Sequence, residues 1–197
     1  MISYYRDVID VIEESIESID IAEYERLVVE CVGVLKRKGK IIASGLGKNV
    51  PICEKFVGTL NSLGIDARFL HTNTAVHGDL GMVGKDDLVI LLSKGGNTIE
   101  TVALAEYLKD RGTSTWLMTF TDKCKSAEIV DKKLIMHLAN EGDEWDIVPN
   151  NSTTVYLILL QGIAIEIGKR LGITLDDFKI NHPGGGIGAK LNGKNLW

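Results

Sequence analysis

The residues best suited to chemistry lie in one short loop. Ser93-Lys94-Gly95-Gly96-Asn97-Thr98 interrupts an apolar run, Leu88 to Leu92, and precedes an amphipathic pattern from Ile99 through Leu108. A buried strand, a tight Gly loop and a helix N-terminus in that order form an anion site, because unpaired backbone N–H groups point outward and the helix dipole favours negative charge. Ser93, Asn97 and Thr98 add side-chain donors, and Gly95 and Gly96 let a ligand oxygen approach the main chain. The plain alternative is a β-to-α turn with a Ser/Thr N-cap. Three further polar segments follow predicted strands: Gly45-Leu46-Gly47-Lys48-Asn49, Thr72 to Gly78, and Asn140 to Pro149. That is where open parallel sheets bind ligands. Ser152, Thr153 and Thr154 fall in the first turn of a long helix, a second candidate anion-facing N-terminus. Two nucleotide templates fail. Val50 stands where a dinucleotide fingerprint needs Gly, and no Gly-Lys pair has P-loop spacing. The expected ligand is a phosphorylated small molecule rather than NAD or ATP.

Bulk properties narrow the class. A formal net charge of −5 with no basic block argues against nucleic-acid or anionic-membrane binding, so a phosphate must be captured locally by a loop. The 197 residues suffice for one domain with a substantial core. Cys31, Cys53 and Cys124 are scattered without CxxC spacing, which suggests reduced thiols and a cytoplasmic protein. The N-terminus is too acidic for a signal peptide, and no apolar run approaches the ~20 residues of a membrane span.

The positioning elements follow from periodicity. Residues 1–20 and 21–37 read as two amphipathic helices. Strands are expected at Lys40 to Ser44, Asp66 to His71, within Asp87 to Leu92, at Ser114 to Phe120 and at Lys133 to Leu138. A helix from Pro51 to Leu63, with Pro in its first turn and Gly64 just past its end, follows the first strand. A long apolar helix covers Asn150 to Leu171, and Asn181 to Gly188 is too Gly-rich for an element. Alternating strands and helices with long connections imply βαβ units and a parallel sheet.

GLGKN (Gly45 to Asn49), HGDLGM (His77 to Met82), the Ser-x-x-Gly-x-Thr loop and NHPGGGIG (Asn181 to Gly188) together resemble sugar isomerase (SIS) domains. The branch most resembled is that of arabinose-5-phosphate isomerases. The resemblance runs over essentially the whole chain from about residue 5. It implies a catalytic set of Lys48, Glu100, Glu141 and His182, and phosphate contacts or near-neighbours at Ser44, Gly45, Ser93, Gly95, Gly96, Asn97, Thr98, Ser152 and Thr153. His77 matches a histidine at the mouth of the site, used in substrate or metal contact. Full-length members usually carry C-terminal CBS domains; a chain stopping at Trp197 is similar to short, single-domain versions.

Aldose–ketose isomerisation needs a base near C1/C2, a group that opens the ring, and a donor at the developing oxyanion. Glu141 is expected to shuttle the proton and His182 to open the ring, or the reverse. Lys48 would stabilise the oxyanion and Glu100 orient hydroxyls. The route calls for no metal or cofactor, although His71 and His77 together are a weak zinc candidate. Departures from the family pattern cluster in the pocket. Gly95 replaces the middle loop serine, with Lys94 as a compensating point charge; Asn97 replaces an acid, Thr74 a glutamate, and Trp145 with its flanking acids a smaller stretch. They bear on which sugar is bound more than on the reaction.

The expected fold is a three-layer α/β/α domain over 1–197, with N-terminal helices (1–38) and a core and tail (39–197) built on a five-stranded parallel sheet in flavodoxin-like order. The N-terminal helices and the long apolar helix are expected between subunits of a homotetramer, with His182 acting in trans. The expected reaction interconverts D-arabinose 5-phosphate and D-ribulose 5-phosphate. Alternatives are isomerisation of a hexulose or heptose phosphate, or a regulatory module that binds a sugar phosphate without turnover.

Overall fold

The computed structural model describes residues 2–130 and 132–193. Five parallel strands, β1 (Ile41–Gly45), β2 (Ala67–His71), β3 (Leu88–Leu92), β4 (Ser114–Thr119) and β5 (Lys132–Ile135), run in the order β2-β1-β3-β4-β5. Strand β3 explains why its run is apolar throughout. Leu88, Ile90 and Leu92 enter the core on one face, while Val89 and Leu91 enter the core on the other. Around the sheet lie α1 (Ile2–Glu17), α2 (Ile21–Lys36), α3 (Asn49–Ser62), α4 (Ile99–Asp110), α5 (Lys125–Ile129), α6 (Asn151–Leu171), α7 (Leu175–Ile180) and α8 (Gly185–Leu191). Helices α2, α3 and α6 contribute to the first core, and α4 and α5 to the second. Two short 3-10 turns, Ala75–His77 and Asp79–Met82, bridge β2 to β3.

The sheet order reverses between β1 and β3. Gly45 is in register with Leu92, so the loops after these two strands leave the sheet side by side. The Asn49 side-chain amide donates to the Leu92 carbonyl at 3.2 Å and ties the two loops together. Both Gly-rich candidates therefore flank the topological switch point, the crevice where doubly wound sheets hold ligands.

Several expectations are corrected. The N-terminal helices and the long helix, expected between subunits, also pack within the chain. Leu27, Val28, Cys31 and Val32 of α2 and Val155, Leu159, Leu160 and Ile163 of α6 are buried in one core with the sheet. What stays exposed is a narrower set, including Tyr5 and Ile9 on α1 and Ile158 and Ile165 on α6. Strand β5 ends at Ile135, short of Leu138. The tail expected to lack structure forms α8. Gly188 is buried there because a Cβ would lie 2.6 Å from the His182 carbonyl oxygen, so only glycine lets α8 press onto that backbone. All three cysteines are free and buried, and burial pushes the Cys31 and Cys53 thiols up.

Candidate active site

The phosphate-type loop is built as a rigid, outward-facing turn. The Ser93 hydroxyl accepts from the Gly96 amide at 3.2 Å, and Asn97 Oδ1 accepts from the Lys125 amide at 3.0 Å. Gly96 returns a bond through its carbonyl, which accepts from the Ser126 amide at 3.0 Å. Gly96 has φ +61°, and a Cβ on it would lie 2.9 Å from the Cys124 Cβ with the sulfur closer still. Gly95 meets no atom within 4 Å of a built Cβ, so the missing loop serine leaves open space. Thr98 holds the N-cap position of α4 without a side-chain cap bond. The first-turn amides of this 12-residue helix thus stay available to an anion.

The second candidate N-terminus, that of α6, is already occupied from within. Glu141 is 0% exposed. Its Oε2 accepts from the Asn150 amide at 3.0 Å and the Ser152 amide at 2.9 Å. Its Oε1 accepts from the Ser152 hydroxyl at 2.6 Å and pairs with Lys94 Nζ at 2.7 Å. Burial alone would raise the Glu141 pKa. The Lys94 ammonium, the Ser152 hydroxyl and amide and the Asn150 amide outweigh it and hold the carboxyl below its ordinary range.

Other expected site residues are likewise engaged within the chain. Ser152 is buried on Glu141, and the Thr153 hydroxyl donates to the Asn150 carbonyl at 2.9 Å. Ser44 is also buried, with its hydroxyl 3.0 Å from that of Thr72. Glu141 has four acceptor positions filled and no exposed surface, an arrangement that does not fit a carboxylate reaching C1 or C2 of a substrate. A buried partner for Lys94 was not foreseen from the sequence; Lys94 at the second loop position, facing an acid-rich segment, was the available signal.

The remaining residues divide between two edges of the sheet. Lys48 and Glu100 are exposed at the carboxyl edge, at the N-cap of α3 and in the first turn of α4. Gly45 ends β1 beside them. His77 is exposed on its 3-10 turn over the end of β2, where Thr74 donates to Asp79 at 2.6 Å and steadies the segment. His71 Nδ1 accepts from the Asn73 amide at 3.3 Å, and no group of three or more His, Cys, Asp or Glu side chains suited to a metal ion occurs among the described residues.

His182 is elsewhere. Helix α6 starts beside Glu141 and runs 21 residues, about 30 Å at 1.5 Å per residue, toward the opposite edge. There Asn181 donates to the Ser62 carbonyl at the far end of α3, at 3.3 Å. Within one chain, His182 is therefore not brought to Lys48 and Glu100. Its ring stacks on Phe178 at 3.9 Å between centroids, and its Nδ1 lies 2.9 Å from the Phe178 carbonyl oxygen. A carbonyl only accepts, so in this bond Nδ1 carries a proton, which leaves the Nε2 lone pair as the free one in the neutral ring.

Comparison with known proteins agrees with this architecture. The SIS domain family matches residues 34–166. Arabinose 5-phosphate isomerase KdsD of Pseudomonas aeruginosa is 35% identical over 161 residues, 82% of this chain and 49% of that protein. KdsD of Escherichia coli K12 is 32% identical over 186 residues, 94% of this chain and 57% of that protein. The chain thus spans about half the length of the curated relatives it matches. Among solved structures, c3406 of E. coli CFT073 in complex with arabinose 5-phosphate is 32% identical, with TM-score 0.83 over 91% of this chain and 94% of that one. A Listeria monocytogenes protein, 25% identical, gives TM-score 0.85 over 92% of this chain and 94% of its own. With the doubly wound sheet, the loop at its switch point and these matches in agreement, the chain belongs to the SIS domain family.

Proposed function

We propose that this protein is an aldose–ketose isomerase that interconverts D-arabinose 5-phosphate and D-ribulose 5-phosphate. The observation that carries this is the open N-terminus of α4 behind Ser93 to Thr98, set at the switch point beside Lys48 and Glu100. The relatives named for arabinose 5-phosphate isomerase and the sugar-phosphate complex of c3406 support the choice of sugar. The phosphate sits on the α4 amides with Thr98 and Asn97, and the sugar extends toward Lys48. In the aldose-to-ketose direction a base removes the C2 proton, the C–H pair forms the C1=C2 bond, and the carbonyl oxygen O1 becomes the enediolate oxygen. The proton returns to C1, the O2 proton moves to O1, and C2 becomes the carbonyl. The ketose has no ring to open, because the hydroxyl that would close it is esterified.

The burial of Glu141 favours assigning the proton transfer to His182, with the unprotonated Nε2 as the base. Since His182 lies at the opposite edge of its own sheet, it serves the site of a neighbouring copy, and the active species is a homo-oligomer, a tetramer in this reading. Glu100 orients the substrate hydroxyls and His77 closes the mouth of the site. No helix among the described residues is long and apolar enough to cross a membrane, and a cytoplasmic setting suits a phosphorylated substrate.

The test is turnover of D-arabinose 5-phosphate in deuterated water, followed by NMR. Deuterium at C1 of the ketose, with activity lost in His182→Asn and in Glu100→Gln but partly regained on mixing the two variants, supports the shared site. No turnover, with a rise in melting temperature on adding the same sugar, would replace catalysis with ligand sensing.

A further inference from the structure

Lys94 and Glu141 form a unit that the catalytic assignments above leave unused. The lysine comes from the anion loop, and the carboxylate comes from the segment after β5 and sits at the N-terminus of α6. The two are 2.7 Å apart, yet their surroundings differ sharply, since Glu141 is fully buried while the Lys94 side chain is 43% exposed. A lysine this exposed adds little as a brace. Glu141 moreover already has three other donors, from Asn150 and Ser152. As a stability device the lysine is therefore poorly placed. As a device for holding still one ammonium that leaves the anion loop it is well placed. An ammonium carries three N–H donors, and the carboxylate engages one side of it, so donors remain for a ligand oxygen.

The main chain of Lys94 is equally fixed. Its carbonyl accepts from the Phe120 amide at 3.1 Å and the Thr119 hydroxyl at 2.9 Å. Both ends of the side chain are thus anchored. Lys48 contrasts with it: exposed, at an α-helix N-terminus, where the dipole disfavours a cation. Electrostatic catalysis depends on charges fixed before the reaction begins, because a mobile group must reorganise as charge develops. The lysine side chain reaches about 6 Å from its Cα over five single bonds. This carries the ammonium from the anion loop to the carboxylate at the start of α6.

We propose that Lys94, held by the buried Glu141, is the fixed cation that stabilises the enediolate oxygen, with Glu141 as its positioning residue and Lys48 serving substrate binding. This rests on the isomerase reading above. It also accounts for the tolerance of glycine at position 95: the loop has exchanged a hydroxyl for a clamped charge at the neighbouring position.

The experiment compares wild type, Lys94→Met, Lys48→Met, Glu141→Gln and the double variant Lys94→Met/Glu141→Gln. Each is measured for kcat and KM with D-arabinose 5-phosphate and for melting temperature. Loss of one oxyanion donor lowers kcat about 10²–10³-fold, and that is the result expected for Lys94→Met, with KM changed far less. Lys48→Met should mainly raise KM. Because Lys94→Met leaves a buried carboxylate unpaired, the double variant removes that charge as well. It should melt near the wild-type temperature and stay as slow as Lys94→Met. Recovery of activity in the double variant would show that Lys94 only balances Glu141, and would overturn the proposal. A Lys94→Met effect confined to KM would overturn it too, placing the lysine on the phosphate. If wild type is inactive, the isomerase reading falls and this inference with it; if wild type is active and Lys94→Met matches it, this inference alone falls.

Discussion

Gly96→Ala should damage the anion loop in a way that Gly95→Ala does not. At φ +61° an alanine costs about 1–2 kcal/mol relative to a right-handed or extended conformation. Its Cβ would also stand 2.9 Å from the Cys124 Cβ, well inside the about 3.5–4.0 Å of carbon–carbon contact. Cys124 cannot yield freely, since it is buried at the N-cap of α5, and the Ser126 amide of that helix is bonded to the Gly96 carbonyl. Overpacking of this kind costs about 1–3 kcal/mol. Restricting the unfolded chain returns about 0.4–1 kcal/mol. The net loss is about 1.5–4 kcal/mol, a sizeable share of the about 5–15 kcal/mol that holds a domain together. Urea denaturation followed by circular dichroism reads it as a lower midpoint at unchanged slope. Gly95, with no positive φ and open space around a Cβ, should be neutral or slightly stabilised by alanine. Cys124→Ala in the Gly96→Ala background should recover part of the loss, because the two side chains meet. A loss under about 1 kcal/mol for Gly96→Ala, or an equal loss for Gly95→Ala, would refute the reasoning.

Two further outcomes follow from the charged groups. The folded Glu141 carboxyl titrates below its ordinary value, so the stability it contributes is present above that value and declines as pH falls through the depressed one. Melting temperature measured from about pH 6 down to about pH 3 should show this decline, and Glu141→Gln should flatten part of it. Asp87 is buried and accepts from the Lys40 amide at 3.0 Å and the Gly84 amide at 2.7 Å, while pairing with Lys40 Nζ at 2.6 Å. Asp87→Asn should lose about 2–3 kcal/mol in denaturant titration, less than a fully buried pair because the lysine is partly exposed; a change within about 0.5 kcal/mol, the range typical of surface substitutions, would show that the pair is not a brace.

Much of the molecule was legible from local pattern. The apolar runs that became β1 and β3 are contiguous and buried on both faces, so they announce parallel strands whatever surrounds them. The break at Ser93 to Thr98 followed by helical periodicity announced a strand-to-helix turn, and Gly64 marked the end of α3. Short elements such as α5, α7 and α8 escaped, because five to seven residues carry too little periodicity to separate from a polar, Gly-rich loop.

The tertiary structure decided which polar residues face a ligand and which face one another. Ser152 and Glu141 read as an open helix start and an acidic loop, and only the fold brings the carboxylate into the start of α6 and Lys94 onto the carboxylate. His182 read as a member of the catalytic set expected to act in trans, and only the fold shows why one chain cannot bring it to Lys48 and Glu100: α6 carries the chain to the other edge of the sheet before that histidine appears. The physical reason is common to both. Strand and helix signals arise from neighbouring residues, whereas burial and pairing of a polar group depend on which distant segment the topology lays against it.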